Sequence, residues 1–310
     1  MIVYNIIDTN IKYKQSPNIM AIGYFDGVHL GHQKVISKAL ERAKENNIIC
    51  SVMIFEPHPH EIIGVTNKVE KITPINSKIN QLKKLGVNIC YIVKFTKNFA
   101  NTSPRNFIDE ILIQLNVKGI VVGYDFTFGK NGSGNPETLK ELSKNIYTVD
   151  IIEPYFLSNI KISSTRIRDC LISGNITDAN KMLGRSYSFK GKVVHGDGRG
   201  RDIGFPTVNL ELIDDYSKIK NGVYTVNVKY NGNKLLGVMN VGYRPTFSPD
   251  NVIKYEVYII DFNEEIYGQE LEVELLYYLR EEKKYSNIED LKKQINIDIV
   301  SAEEFKVDII

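Results

Sequence analysis

The chain has 310 residues, of which 43% are hydrophobic and 25% are charged, and its formal net charge is +2. This length favours two domains, because single hydrophobic cores rarely grow that large, and the near-neutral charge gives no reason to expect a nucleic-acid or membrane partner. No apolar run has the length of a bilayer span, no signal-peptide layout opens the chain, and the cysteines stand far apart, so we expect a cytoplasmic protein without a disulfide framework.

Short apolar runs alternate with helical patterns through the first half of the chain. The predicted strands are "NIMAIGYF", "IICSVMIF", "NICYIVKF", "GIVVGYDF" and "YTVDIIE", and the predicted helices between them are "QKVISKALERAKENN", "INSKINQLKKLG", "SPRNFIDEILIQL" and "PETLKELSKN". Ser103 and Pro104 mark one helix start, and Gly86 marks one helix end. The alternation predicts a parallel sheet covered by helices on both faces, in which ligands bind at the carboxyl ends of the strands.

The pattern changes near Leu183, where we place the boundary between a domain of residues 1–183 and one of residues 184–310. From "SYSFKGKVVHG" onward the chain is predicted to form strands and turns, including "GVYTVNVKY", "KLLGVMNVGY", "KYEVYIIDF" and "ELEVELLYYL". Asn231 and Gly232 between two alternating runs predict a hairpin. One helix, "IEDLKKQINIDIVSAEEF", ends the chain. The second half therefore predicts an antiparallel β-barrel with a terminal helix.

Two histidines lie close together in "AIGYFDGVHLGHQKVI", where a predicted strand turns into a helix. The helix is predicted to start at His32. A helix start offers unpaired N–H groups to an anion, and glycine at Gly27 and Gly31 allows backbone to approach a phosphate closely. A metal site at His29 and His32 would need a third ligand, which His58 or His60 could supply. A turn in which the backbone satisfies both histidines is the other alternative. We favour a phosphate site.

Two further segments of the first half contain candidate nucleotide contacts. The glycine-rich loop "GYDFTFGKNGSGN" contains Asp125, which could bind an adenine or ribose edge, although an ordinary surface loop has the same composition. In "ISSTRIR", Ser163 and Ser164 occupy a helix-cap position, and Arg166 and Arg168 follow. Hydroxyls, free N–H groups and guanidinium groups at one helix start can bind an anion. The alternative is a capped helix with solvated arginines.

The segment "HGDGRGRDIGFPTVNL" contains a second group of candidates in the barrel half. Thr207 and Asn209 alternate along a predicted strand, so their side chains lie on the same side, after the stiff residue Pro206. A hydroxyl and an amide oxygen are suitable donors to Mg²⁺ bound to ATP phosphates, although an ordinary polar strand face remains the alternative. A flexible turn would also explain the glycines of this segment, which are Gly196, Gly198, Gly200 and Gly204.

These motifs resemble a known family. "GYFDGVHLGH", "FEPHP", "VVGYDFTFG" and "ISSTRIRDCL" are similar to the prokaryotic bifunctional riboflavin kinase/FMN adenylyltransferase family, also called FAD synthetases. "GRGRDIGFPTVNL", "GVYTV", "MNVGYRPTF", "YEVYIIDF" and "LREEKKYSNIEDLKKQI" resemble the riboflavin kinase module of that family. The resemblance covers nearly the whole chain. It implies a Rossmann-like nucleotidyltransferase sheet followed by a riboflavin kinase-like barrel, which use ATP to convert riboflavin to FMN and then FMN to FAD and pyrophosphate.

The resemblance also implies roles for individual residues. His29 and His32 would contact the ATP phosphates and stabilise charge on the α-phosphorus. Thr207 and Asn209 would bind Mg²⁺ and phosphates, and Glu256 would act as base on the ribityl 5′-hydroxyl. Further cofactor-binding positions are implied at Gly23, Phe25, Asp26, Gly31, Asp125, Phe126, Ser163, Ser164, Thr165, Arg168, Gly196, Gly198, Gly200, Arg201, Gly204, Pro206 and Arg280. Ser164, Thr165 and Arg168 would bind the outgoing pyrophosphate.

The sequence departs from the family pattern at two positions and leaves three alternatives. Tyr258 replaces a histidine often found two residues after the glutamate, and Val208 replaces an alanine. A lone adenylyltransferase with the barrel as a binding platform, a non-catalytic flavin or nucleotide sensor, and a nucleic-acid binder are the alternatives. The complete polar sets at both sites disfavour a sensor, and the near-neutral charge disfavours a nucleic-acid partner. The expected partners are riboflavin, FMN and ATP, and the oligomeric state is left open.

Overall fold

The computed structural model of the chain describes residues 1–7, 16–66, 68–196, 198–243 and 253–307, without the side chains of residues 199 and 305–307. The chain forms two compact units, Met1–Ser164 and Thr165–Ile310. The motif "MNVGYRPTF" begins in a described strand, but its last four residues lie outside the described part. Each unit is considered separately below.

The boundary between the units lies after Ser164, which is earlier than the predicted boundary near residue 184. The reason is that residues between these two points pack on the barrel. The Asn180 side chain donates a hydrogen bond to the Leu275 carbonyl at 2.8 Å and accepts one from the Tyr187 backbone N–H at 2.7 Å. The change of pattern along the sequence thus marks the first barrel strand, while the compact unit begins earlier.

A six-stranded parallel sheet forms the centre of the first unit, with strand order β1-β4-β3-β2-β5-β6. Its strands are β1 (Ile2–Ile6), β2 (Asn18–Ile22), β3 (Ile49–Glu56), β4 (Ile89–Lys94), β5 (Val117–Gly123) and β6 (Thr148–Ile152). The edge strand β1 was not assigned from the sequence; the other five were. A short hairpin follows, formed by β7 (Phe156–Leu157) and β8 (Ile160–Lys161).

Helices cover both faces of this sheet, as the alternation predicted. They are α1 (Leu30–Glu45), α2 (Pro59–Ile62), α3 (Ile75–Lys84), α4 (Lys97–Ala100), α5 (Pro104–Phe107) and α6 (Pro136–Ser143). Successive residues of β2 point to opposite faces. Ala21 packs in one apolar cluster with Val35 of α1, and Ile22 packs in the other with Phe107 of α5. The predicted helix end at Gly86 is confirmed by its φ of 93°.

The order of the strands determines where a ligand can bind. From β2 the chain proceeds to β3 and β4 on one side and then crosses to β5 on the other side of β2. In open parallel sheets, ligands bind in the crevice at the carboxyl ends of strands where the order reverses. That crevice lies between the residues that follow Ile22 and those that follow Gly123.

The second unit is a closed antiparallel barrel with strand order β10-β13-β12-β11-β14-β9. Its strands are β9 (Tyr187–Val194), β10 (Thr207–Leu212), β11 (Gly222–Tyr230), β12 (Asn233–Tyr243), β13 (Ile253–Ile259) and β14 (Glu270–Arg280). Its helices are α7 (Ser164–Ser173), α8 (Ile176–Leu183), α9 (Arg199–Asp202) and α10 (Ile288–Val307). The hairpin at Asn231 and Gly232 is confirmed, with φ of 47° and 81°. The predicted barrel with a terminal helix is therefore confirmed.

Arg280 connects the last barrel strand to the terminal helix through hydrogen bonds. Its Nε and Nη2 atoms donate to the Asp298 carboxylate of α10 at 2.9 and 2.7 Å, and its Nη1 atom donates to the Glu281 carbonyl at 3.0 Å. Gln294 also donates to Asp298, at 3.0 Å. A buried bidentate pair of this kind fixes the geometry of both partners. The resemblance had assigned Arg280 to cofactor binding, and that role stays a prediction beside the structural role found here.

Candidate active sites

A cavity of about 910 Å³ lies at the carboxyl ends of β2 and β5. Its volume is within the range of small-molecule sites. Seven of the residues that the resemblance implied line it, namely Gly23, Phe25, Asp26, His32, Asp125, Phe126 and Ser164. Residues that are widely separated in the sequence thus meet at the predicted crevice.

The turn that leaves β2 has an unusual backbone. Phe25, Gly27 and Val28 have φ of 50°, 84° and 42°, and a β-branched residue such as valine rarely adopts a positive φ. Such strained residues persist only where the surrounding structure fixes them, and they concentrate at functional sites. Gly23 is also required, because a Cβ there would lie 2.7 Å from the Phe25 ring. We call residues 24–28 the nucleotide turn.

His29 is the N-cap of α1. Its Nδ1 atom accepts a hydrogen bond from the His32 backbone N–H at 3.2 Å, so a neutral His29 has its proton on Nε2. The helix therefore begins at Leu30, two residues earlier than the predicted start at His32. Gly31 makes room for the His29 ring, because a Cβ at Gly31 would lie 3.1 Å from His29 Cε1.

The two histidine rings stack with their centroids 3.5 Å apart. The His32 Nδ1 atom is inaccessible to solvent and has no hydrogen-bond partner among the described residues. Loss of solvation lowers the pKa of His32 well below its ordinary value, and the nearby charges of His29 and Lys78 lower it further. His32 is therefore neutral at neutral pH, and it can contact a phosphate as a hydrogen-bonding group rather than as a cation.

The lowered pKa of His32 predicts that acid destabilises the first unit. In the unfolded chain a histidine has a pKa of about 6.5, so below that pH the unfolded state binds a proton that the native state does not. The free energy of unfolding should then fall by about 1.4 kcal/mol per pH unit from this group alone. Urea titrations of the wild type and of His32→Gln on the acid side of neutrality measure the difference in slope. Equal slopes for the two proteins would contradict the lowered pKa.

Asp26 connects the nucleotide turn to the rest of the first unit. Its carboxylate accepts hydrogen bonds from the backbone N–H groups of Ile72 and Thr73 at 3.1 and 3.0 Å. The Ser164 hydroxyl donates to the Asp26 carbonyl at 2.9 Å. Both residues line the cavity, and both also hold the chain in place. Their predicted contacts with a ligand stay predictions.

The metal alternative for the histidine pair finds no third ligand in the described ranges. No group of three or more His, Cys, Asp or Glu side chains there is placed to hold a metal ion. His58 Nδ1 instead accepts the His60 backbone N–H at 3.0 Å and caps α2. The His58 ring packs edge-on against Tyr24, with centroids 4.2 Å apart.

The other wall of the cavity is aromatic, and of its phenylalanines only Phe126 is among the predicted site residues. Phe107 and Phe128 pack with centroids 5.3 Å apart, and Phe126 stacks on Phe128 at 5.8 Å. Phe55, Phe95 and Phe99 continue this wall. Several of these phenylalanines lie at or directly after strand ends, as in "FEPHP" and "VKFTKNF". That position is the sequence feature that could have indicated an aromatic wall at the cavity. The cavity thus combines a polar turn with an apolar wall.

Thr165 and Arg168 belong to the second compact unit, as the second and fifth residues of α7. Ser163 and Ser164 belong to the first unit. The predicted contact of Thr165 and Arg168 with pyrophosphate therefore stays a prediction.

The barrel brings the predicted kinase residues together on its outer side. Asn209 of β10 pairs directly with Glu256 of β13, and on the other side Glu256 pairs with Asn240 of β12. Thr207 pairs in the same way with Tyr258. Val257 between Glu256 and Tyr258 is fully buried, so those two side chains lie on the outer side. Directly opposed residues have Cβ atoms about 5 Å apart, so a carboxylate lies between two amides.

The glycine-rich loop closes over the proposed metal ligands. A Cβ on Gly196 would lie 2.0 Å from Asn209 Nδ2, and one on Gly200 would lie 2.4 Å from the Phe205 carbonyl. Gly198 and Gly204 have φ of 73° and 90°, which other residues rarely adopt. Arg201, on the short helix α9, forms an exposed ion pair with Glu265. Gly196 and Gly200 are therefore needed because a side chain there would collide with its neighbours, and Gly198 and Gly204 are needed because of their positive φ.

Substitution of Gly196 by alanine tests this close packing. The added Cβ displaces the Asn209 amide, and a displacement of about 1 Å can cost roughly 100-fold in rate. We expect a loss of that order in FMN formation, with FAD formation from supplied FMN unchanged. Gly232→Ala is the control for backbone strain away from the site, because alanine is disfavoured at its φ of 81° but a Cβ there meets nothing within 4 Å. Equal rates of FMN formation in the two variants would contradict the prediction.

The two units together define a class of protein. A helix start at the switch point of a parallel sheet binds the phosphates of nucleotides, and a barrel that places a carboxylate beside neutral oxygen donors suits transfer to a hydroxyl. These features are typical of a nucleotide-dependent transferase with two sites. Residues 11–166 match the family model described as FAD synthetase, and residues 183–306 match the model described as riboflavin kinase.

Relatives agree over almost the whole chain. The bifunctional riboflavin kinase/FMN adenylyltransferase of Bacillus subtilis is 43% identical, with 93% of this chain and 92% of the relative covered. That of Listeria monocytogenes is 41% identical, with 94% and 93% covered, and that of Escherichia coli is 36% identical, with 93% and 92% covered. The chain belongs to the bifunctional riboflavin kinase/FMN adenylyltransferase family. It has both enzyme domains, and its substrates are ATP and flavins.

A solved structure has the same fold. The chain described as the macrolide-efflux protein from Streptococcus pneumoniae is 32% identical and has a TM-score of 0.91, with 98% of this chain and 99% of that chain covered. In the part of the present chain that the structure describes, no helix has both the length and the apolar character needed to cross a bilayer. The predicted fold class and the predicted pair of activities are confirmed.

Proposed function

We propose that the two transfers use two separate sets of side chains, His29 and His32 for AMP transfer and Glu256 with Thr207 and Asn209 for phosphoryl transfer. The direct pairing of Asn209 with Glu256 on the outer side of the barrel is the observation that supports the second set most strongly. The capped start of α1 at the cavity supports the first set.

AMP transfer at the cavity requires positioning and stabilisation of charge. A phosphate oxygen of FMN attacks the α-phosphorus of ATP, the bond to the β-phosphate breaks, and pyrophosphate leaves. The positive end of the α1 helix dipole and the side chains of His29 and the neutral His32 can stabilise the developing charge on the α-phosphate oxygens. No covalent intermediate with the enzyme is needed, because both reactants are held in line.

Phosphoryl transfer at the barrel requires a base. The ribityl 5′-hydroxyl must lose its proton as it attacks the γ-phosphorus, and a carboxylate within hydrogen-bond reach can accept that proton. The Glu256 side chain is 34% exposed, so a substrate can reach it. Asn209 and Asn240 flank it across the sheet, and the Lys254 ammonium lies 3.7 Å from its carboxylate. ADP leaves as FMN forms.

We also propose that Thr207 and Asn209 hold Mg²⁺ together with the ATP phosphates. Two uncharged oxygen donors under a glycine loop fit an ion that keeps several waters and is bound largely by phosphate oxygens. The ion would neutralise phosphate charge during transfer. A cytoplasmic location and small-molecule partners only, without nucleic acid or membrane, stay predictions from the sequence. The oligomeric state stays open.

A single assay tests the proposed division. Purified protein is incubated with riboflavin, ATP and Mg²⁺, and the flavins are separated by chromatography. FMN should appear first and FAD should follow, while supplied FMN should give FAD without riboflavin. A chelator should stop FMN formation from riboflavin. FAD formation from FMN without any FMN formation from riboflavin would instead support a lone adenylyltransferase.

A further inference from the structure

A buried lysine lies beneath the nucleotide turn, and no role has been assigned to it so far. Lys78 of α3 is only 1% exposed, although lysine is almost never fully buried in proteins. Its ammonium donates a hydrogen bond to the Tyr24 carbonyl at 2.8 Å and lies 4.1 Å from the centroid of the Tyr24 ring. Placing an ammonium away from water is costly, so this position calls for a compensating function.

The contacts of Lys78 are directed at the strained part of the backbone. Three separate groups hold the nucleotide turn: the Lys78 ammonium at the Tyr24 carbonyl, the backbone of residues 72–73 at the Asp26 carboxylate, and the Ser164 hydroxyl at the Asp26 carbonyl. Phe25, with its positive φ, lies between the attachment points at Tyr24 and Asp26, and Val28, also with a positive φ, follows two residues later. Strain of this kind must be offset by surrounding contacts. Lys78 is the one cation among the three groups.

The charge of Lys78 also acts on the histidine pair. Burial lowers the pKa of Lys78, while the carboxylates of Asp26 and Glu56 oppose that decrease and Lys71 adds to it. Lys78 in turn contributes to the low pKa of His32. Because the rings of His29 and His32 stack at 3.5 Å, a positive charge on both would be strongly repulsive. A fixed cation nearby favours the neutral form.

We propose that Lys78 is a positioning residue for AMP transfer: its buried ammonium fixes the nucleotide turn through the Tyr24 carbonyl and thereby holds the stacked histidines that follow the turn in place. The inference rests on the proposed role of His29 and His32. Lys78 itself touches neither flavin nor nucleotide in this assignment. Its effect passes through the backbone of the turn and through the charge of His32.

Lys78→Met removes the ammonium and keeps most of the length of the side chain. We expect kcat for FAD formation from FMN to fall by about 10- to 100-fold, because a small displacement of catalytic groups has effects of that order, while KM for FMN changes little. Histidine NMR should show a rise in the His32 pKa, because the charge of Lys78 is one cause of its decrease, while burial, the largest cause, remains. Riboflavin phosphorylation should be unchanged. Lys83→Met on the same helix is the control, because Lys83 is exposed, and it should leave all three quantities at their wild-type values.

The outcomes separate this inference from the proposed function. If Lys78→Met equals Lys83→Met in kcat and in the His32 pKa, while His32→Ala is inactive, the positioning role is wrong and the site assignment survives. If His32→Ala makes FAD normally, the site assignment itself is wrong. Lys78→Gln keeps an N–H donor and must show the same rise in the His32 pKa where Lys78→Met does not fold. A wild-type titration that finds His32 protonated at neutral pH overturns the inference whether or not the variants fold.

Discussion

His32→Ala is expected to abolish FAD formation from FMN and to leave riboflavin phosphorylation near its wild-type rate. The imidazole of His32 lies at the cavity beside the start of α1 and has no hydrogen-bond partner for Nδ1 within the described ranges. Removal of one group that stabilises developing charge typically costs about 100- to 1,000-fold in kcat. Initial rates of FAD formation with saturating FMN and ATP, and of FMN formation from riboflavin, measure the two effects in one preparation.

The control for this variant is another histidine of the same unit. His60 is exposed on α2, and its imidazole is not part of the stacked pair. Because His60 also lines the cavity, the exposed residue Glu41 of α1, which does not line it, is the second control. Glu41→Ala should keep both activities, and urea titrations should show that the variants are folded. If both activities fell together in folded His32→Ala, the assignment of His32 to AMP transfer alone would have to be abandoned.

Glu256→Gln is expected to show the reverse behaviour. Glutamine has nearly the same shape, but it cannot accept a proton from the ribityl hydroxyl. Loss of a positioned base costs about 100- to 10,000-fold. FMN formation from riboflavin should therefore fall by that factor. FAD formation from supplied FMN should continue at the wild-type rate, because the cavity of the first unit is unchanged.

Glu211→Gln provides the matched control for the barrel. Glu211 lies on β10, on the same side of that strand as Thr207 and Asn209, and it is exposed. It pairs with Lys192 of β9 and not with Glu256. Its substitution should leave both activities unchanged. Full riboflavin kinase activity in Glu256→Gln would show that another group, or the substrate itself, removes the proton.

The elements that the sequence predicted are those with a repeated local pattern. The apolar runs of β2 to β6 and the helical periods between them follow from burial on both faces of one sheet, and both were visible in the chain order. The edge strand β1 is short and has exposed residues at Ile2 and Val3, so it lacks the pattern of a buried strand. The strands β7 and β8 have two residues each, which is too short for any periodicity.

Helix ends and unit boundaries depend on contacts that the local pattern does not contain. The start of α1 at Leu30 follows from the His29 side chain, which accepts the His32 N–H and acts as the cap. Histidine is not among the preferred cap residues, so the start was placed two residues late. Similarly, residues 165–183 read as a continuation of the first half, yet contacts such as that of Asn180 with Leu275 group them with the barrel.

The sequence by itself determined the fold class and the position of the histidine turn, because motif spacing and hydrophobic periodicity are local properties of the chain. Its motifs implied the two activities through their resemblance to a known family. Only the tertiary structure showed the charge state of His32, the amides on both sides of Glu256, and the burial of Lys78 beneath a carbonyl 54 residues away in the chain. Those features depend on which distant segments meet and on how much water they exclude. Solvation and charge at a site are therefore decided by long-range packing.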